Sequence, residues 1–174
     1  MVSLQVKELS FTSAELQLLK EILLQQKLET KIGLPEDEKT QAVFAALRQP
    51  VSDWEPIIAH LIGRGKGLTP SGDDLLVAYQ AMLYALQQPE ADALAQALAK
   101  PLSTTDVSLA YIQSASQGYV NSLMLQLFKD LKKQNPQVIE KDVQQLMSVG
   151  HSSGKDLSFG LLLALESLSL EEKE

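Results

Sequence analysis

The stretch from Gly154 to Leu168 carries Leu157, Phe159, Leu161, Leu162, Leu163 and Leu165 within fifteen residues. It contains no proline, so it reads as one helix, apolar nearly all round. A helix of that kind has no face for water and must be enclosed by other elements. It falls short of the roughly 18–20 residues that a membrane span requires. The chain must therefore wrap further helices around its own C-terminal one. Leu, Ala, Gln, Lys and Glu, all good helix formers, dominate the rest of the sequence. Alternating β-branched runs are missing, and the three positions Val2, Leu4 and Val6 do not decide for a strand. The expected class is all-α: a single compact multi-helix domain of 174 residues, 45% of them apolar.

The punctuation marks out the other helices. One starts near Ser13 with Leu16, Leu19, Ile22 and Leu23 at helical spacing, and Gly33 and Pro35 end it. A second is expected from Pro35 to Arg48, with Glu36, Asp37 and Glu38 at its positive dipole end. A third runs from Ser52 to about Ile62. Leu75, Leu76, Tyr79, Met82, Leu83 and Leu86 form the clearest stripe. A short Ala-rich helix follows from Pro89 to Lys100. A long helix is expected from Asp106 to Lys133, with small residues Ala110, Ser114, Gly118 and Ser122 four apart, which would let another backbone come close. Another runs from Asn135-Pro136 to about Met147. Residues 1–59 read as an N-terminal helical region packed on a core of residues 60–170. The tail 171–174 is expected to fray.

Composition narrows function by exclusion. There is no cysteine, so disulfides, thiolate metal sites and cysteine nucleophiles are out. The N-terminus lacks the basic and apolar regions of a signal peptide, and a cytoplasmic location with no membrane partner is the default. A net charge of −7 opposes phosphate-backbone binding. Lys129, Lys132 and Lys133 cluster at one helix end, but cations suit that end anyway and no aromatics interleave them. No nucleic-acid partner is expected. A homo-oligomer is left open.

Two segments repeat each other. Ser71-Gly72-Asp73-Asp74-Leu75 and Ser153-Gly154-Lys155-Asp156-Leu157 share Ser-Gly-x-Asp-Leu, 82 residues apart, and each leads into an apolar helix. The simplest reading is two capping boxes, with Ser71 and Ser153 accepting from the third helical amide and Asp74 and Asp156 reaching back. The glycines point further. Seven of nine lie at 63, 65, 67, 72, 150, 154 and 160. The alternation Gly63, Gly65, Gly67 lets successive amides form an anion-binding nest at a helix N-terminus, with Arg64 and Lys66 supplying charge. Both histidines, His60 and His151, adjoin these segments. Asp73, Asp74 and Asp156 are candidate Mg²⁺ ligands if the two loops meet; no other cofactor is indicated. Ser103 or Thr104 is expected to cap the helix starting at Asp106.

Gly65-Lys66-Gly67-Leu68-Thr69-Pro70-Ser71-Gly72-Asp73-Asp74 resembles the GxGLTPSGDD hallmark of the DUF2877 family, and Gly150-His151-Ser152-Ser153-Gly154-Lys155-Asp156 its GHSSGxD hallmark. Ser103-Thr104-Thr105-Asp106-Val107-Ser108, with Ala115 and Gly118, is similar to the segment between them. The resemblance covers residues 60–168. The family includes AllH-like subunits associated with oxamate carbamoyltransferase, working beside FdrA-like subunits in allantoin breakdown. The resemblance implies a subunit of such a system, which interconverts oxalurate plus phosphate with oxamate plus carbamoyl phosphate. The implied partner is a small anionic ligand bearing phosphate or carboxylate. The residues expected to bind it are Arg64, Gly65, Lys66, Gly67, Thr69, Ser71, Gly72, Asp73, Asp74, Thr104, Thr105, His151, Ser152, Ser153, Gly154 and Asp156. No catalytic residue is assigned, since no serine has a histidine base within its own motif. The competing reading is a non-catalytic helical assembly or regulatory module whose two motifs are structural helix caps.

Overall fold

The computed structural model describes residues 4–5 and 9–168, so the expected fraying of the tail 171–174 lies outside the described residues. Its architecture is all-α. The helices are α1 (Ser13–Gln25), α2 (Glu38–Leu47), α3 (Glu55–Leu61), α4 (Ser71–Ala85), α5 (Glu90–Leu98), α6 (Asp106–Ser116), α7 (Ser122–Asp130), α8 (Pro136–Met147) and α9 (Ser153–Ser167). Two two-residue strands, β1 (Leu4–Gln5) and β2 (Tyr119–Val120), pair antiparallel, with Leu4 opposite Val120. No helix among the described residues is long and apolar enough to cross a membrane.

The apolar C-terminal helix is central, as its composition demands. From Leu157 to Leu165 every residue of α9 is buried. It packs against α1, α2, α4 and α8. Its most extensive neighbour is α4, and a glycine explains how close the two come. A Cβ on Gly160 would lie 2.3 Å from the Leu75 carbonyl oxygen and 2.9 Å from Ala78 Cβ. Ala78 sits at the position of α4 that corresponds to Gly160 in the 82-residue repeat. The two motif helices thus cross at equivalent points.

Elsewhere the structure corrects the helix boundaries. The first helix stops at Gln25 rather than near Gly33, because Lys27 turns left-handed and a 3-10 turn over Leu28–Thr30 follows. The second begins at Glu38, capped by the Asp37 carboxylate accepting from Thr40 N at 2.7 Å, not at Pro35. The long helix expected over 106–133 is broken. Gly118, at φ +86°, turns the chain into β2, and Asn121 then caps α7 by accepting from Met124 N at 2.8 Å. The stripe of small residues belonged to two helices and the turn between them. Glycine and an Asx cap at 118–121 were visible breakers that the apolar periodicity masked.

Candidate functional site

The repeated motifs meet. Thr69 Oγ1 lies 3.0 Å from Ser153 Oγ, and Ser71 Oγ lies 3.4 Å from Ser152 Oγ. The first turns of α4 and α9 therefore stand side by side. The glycine of each motif permits the same local arrangement. A Cβ on Gly72 would lie 1.9 Å from the Leu61 carbonyl oxygen at the end of α3, and one on Gly154 1.9 Å from that of Leu146 near the end of α8. Each motif helix thus starts against the last turn of a preceding helix, and only glycine leaves room for it.

Neither motif is a capping box. Pro70 occupies the cap of α4 and Ser152 that of α9, and neither makes a side-chain cap bond. The serine hydroxyls turn to the opposite helix instead. Ser153 and Thr69 face the Asp74 carboxyl and lower its pKa, while Ser71 and Ser152 do the same for Asp156, Ser152 Oγ donating to its Oδ2 at 2.9 Å. The Ser–Asp contact is thus exchanged between helices, an arrangement that spacing within either motif alone could not reveal. A box of the expected type does exist at Thr12 and Glu15 on α1.

The three aspartates have different surroundings. Asp73 is fully buried and both its oxygens are bonded: Oδ1 accepts from Gly63 N at 2.7 Å and Oδ2 from Thr104 Oγ1. It ties the glycine loop to the start of α6. Asp156 Oδ1 accepts from Gly33 N at 2.8 Å and Oδ2 from Ser152 Oγ at 2.9 Å. Asp74 is 6% exposed, and its Oδ2 is buried without a partner. Burial pushes the Asp74 carboxyl up to about 7, the neighbouring Asp156 and Asp73 charges adding to it and the Ser153 and Thr69 bonds opposing it. Burial also raises Asp156, against the Gly33, Ser71 and Ser152 bonds. Among the described residues, no three His, Cys, Asp or Glu side chains converge to hold a metal ion, and Asp73 and Asp156, two of the three expected Mg²⁺ ligands, have both oxygens hydrogen-bonded within the protein.

A pocket of ≈ 130 Å³ opens beside Asp74. Thr69, Asp74 and Val77 come from α4 and its loop, and Ser153 and Leu157 from α9. Tyr111 and Ser114 of α6, Tyr119 and Val120 of β2, and Asn121, Met124 and Val149 complete it. Most of the wall is apolar; the Thr69 and Ser153 hydroxyls and the one carboxyl gather at the starts of α4 and α9, while Tyr111, Ser114 and Tyr119 bring hydroxyls from α6 and β2. Four large apolar side chains stand exposed in this region: Tyr119 and Val149 on the wall itself, Leu68 next to Thr69, and Val107 in the first turn of α6.

Of the residues expected to bind ligand, Thr69, Asp74 and Ser153 line this pocket. Ser71, Ser152 and Asp156 lie beside it in the exchanged pair. Gly72 and Gly154 seat the two helices. Asp73 and Thr104 join loop to loop. Thr105, rather than Ser103 or Thr104, caps α6 by accepting from Ser108 N at 3.0 Å, and its hydroxyl donates to the Leu68 carbonyl. Gly65, Lys66 and Gly67 are exposed on the loop before α4. Arg64 is half-buried, its Nε donating to the His60 carbonyl at 2.6 Å. The two histidines part company. His60 is buried with Nε2 2.9 Å from Thr40 Oγ1, and burial, then Arg64, holds its pKa down. His151 is exposed. Tyr111, Asn121 and Met124 on the pocket wall, and Gly33 over Asp156, lie outside the sequence motifs. Asn121 had a signal, as an N-cap type three residues after a glycine.

The fold and site define an all-α protein whose two like helices bring an acidic pair together at the head of a mostly apolar pocket. The family model described as oxamate carbamoyltransferase subunit AllH matches residues 61–165, from the end of α3 to the buried part of α9. The chain belongs to that family. No solved structure matches it.

Proposed function

We propose that this chain serves as the AllH-type subunit of an oxamate carbamoyltransferase system and that the pocket beside Asp74 holds the small carbonyl ligand of that reaction. The observation that carries the reading is the buried Asp74 Oδ2, which has no partner while every oxygen of Asp73 and Asp156 has one. A buried carboxyl left incomplete at a pocket costs stability, and such groups concentrate at binding sites. Family membership supplies the reaction class: oxalurate and phosphate exchanging with oxamate and carbamoyl phosphate. Thr69, Asp74 and Ser153 contact the ligand. Ser71, Ser152 and Asp156 hold the helix starts in place, and Asp73, Thr104 and Thr105 fix the loop that carries Thr69. Arg64, Gly65, Lys66 and Gly67 receive the phosphate or carboxylate end from the solvent side. Carbamoyl transfer develops charge on a carbonyl oxygen, and hydroxyl and amide donors fixed in place would stabilise it.

FdrA-like subunits are the proposed partners. The test is reconstitution. Phosphate-dependent release of carbamoyl phosphate from oxalurate is expected only when this chain joins those subunits. Full turnover without it would overturn the reading. The second reading, a purely structural assembly module, draws on Leu68, which is 70% exposed beside the pocket. Under that reading the complex needs the chain to assemble, yet filling the pocket with Val77→Phe leaves turnover unchanged.

A further inference from the structure

The repeat contains its own comparison. Asp74 and Asp156 are equivalent residues of the two motifs, on helices that cross at the equivalent positions Ala78 and Gly160. The two carboxyls have corresponding hydroxyl neighbours, Ser153 and Thr69 for Asp74 and Ser71 and Ser152 for Asp156. Ser152 Oγ donates to Asp156 Oδ2 at 2.9 Å. Asp156 also accepts the backbone N–H of Gly33 at 2.8 Å, and Asp74 has nothing in that role.

Gly33 is seated closely. A Cβ there would lie 2.2 Å from Ser71 Oγ and 2.7 Å from Ser152 Oγ. A bare peptide unit, flat and without a side chain, thus fills the space over one carboxyl of the pair. The space beside the other is the pocket, walled by Val77, Leu157 and Met124. An uncharged amide suits such walls, whereas a second carboxylate would bring like charge to an acid already facing Asp156 and Asp73.

We propose that Asp74 takes from its ligand what Asp156 takes from Gly33: an N–H of an amide or ureido group, donated to the unpartnered Oδ2. This rests on reading the pocket as a ligand site and adds the chemistry of the end that enters it. The N–H-bearing end faces Asp74, with Ser153 and Asn121 at hand for its carbonyl oxygen. Any anionic end of the same ligand points away, toward the loop of Lys66.

The experiment compares isosteres on the full chain. Propionamide, methylurea and propionate are titrated while the methyl resonances of Val77, Met124 and Leu157 are followed. Propionamide and methylurea are expected to move these resonances with dissociation constants at least about tenfold below that of propionate. Above pH 8, where Asp74 is ionised, Asp74→Asn is expected to weaken propionamide about tenfold, since a charge-assisted bond becomes a neutral one. The same spectra report whether the variant is folded. Asp142→Asn, on α8 and outside the pocket wall, is expected to retain the preference. Propionate binding as tightly as propionamide, or Asp74→Asn leaving propionamide unaffected, overturns the inference and leaves the pocket reading standing. Failure of all three probes to reach these methyls, in the chain alone and in the reconstituted complex, overturns both.

Discussion

Asp74→Asn should make the protein more stable at alkaline pH, and the size of the effect follows from the site. Folding takes the Asp74 carboxyl from its ordinary value of 3.8 to about 7, chiefly because burial disfavours the charge. Each tenfold change in proton affinity is about 1.4 kcal/mol, so ionising Asp74 in the folded chain costs up to about 4 kcal/mol. The sign follows from the direction. The folded state holds a proton that the unfolded state has released, so stability falls as pH rises from about 4 through about 7. Asparagine has the same shape and no charge to bury, and its amide oxygen still accepts from Ser153 or Thr69. Imperfect accommodation of its NH₂ offsets part of the gain, leaving an expected stabilisation of about 2 kcal/mol above pH 8. Near pH 5 Asp74 is protonated and the gain should vanish. Urea unfolding of both proteins at the two pH values measures this directly, with unchanged slopes confirming that only stability moved. A stabilisation equal at both pH values, or a loss above pH 8, would refute the burial argument.

Further consequences are open to the same assay. Gly160→Ala forces a methyl against the Leu75 carbonyl and Ala78, and should cost about 3 kcal/mol or more. Thr104→Val removes the donor to Asp73 Oδ2 and strands a fully buried oxygen, for a loss of about 1–3 kcal/mol. On α8, Asp142 is pushed up to about 6 by burial and then by Asp130, so stability is lost as pH rises from about 4 through that value; Asp142→Asn should flatten this limb of the profile. Truncating the real capping box with Thr12→Ala should cost about 1 kcal/mol.

The fold was legible where composition left one solution. A helix apolar nearly all round, as Gly154–Leu168 reads, can only be central, and it is. Pro136 and Asn135 placed α8 to the residue. The expected helix over 106–133 failed because helical residues flank a turn that two of them, Gly118 and Asn121, encode locally. The candidate site was half legible. The glycine distribution picked out both loops, and the repeat picked out Asp74 and Asp156. Their roles could not be read, because each motif serine faces the aspartate of the other motif, across 79 positions of sequence for Ser153 and Asp74 and 85 for Ser71 and Asp156. Nor could the asymmetry between the two acids, which depends on Gly33, a residue that reads locally only as a helix terminator. The pocket wall from Tyr111, Asn121 and Met124 requires the three-dimensional return of α6 and α7 to α4.

Carbamoyl transfer by a complex reconstituted with Asp74→Asn tests the role of this carboxyl most directly. Assembly is expected to stay intact and kcat/KM to fall by about a hundredfold or more, the loss of one charge-assisted contact to a reacting ligand. Turnover within about twofold of the unmodified complex would contradict the assignment of Asp74 to the ligand.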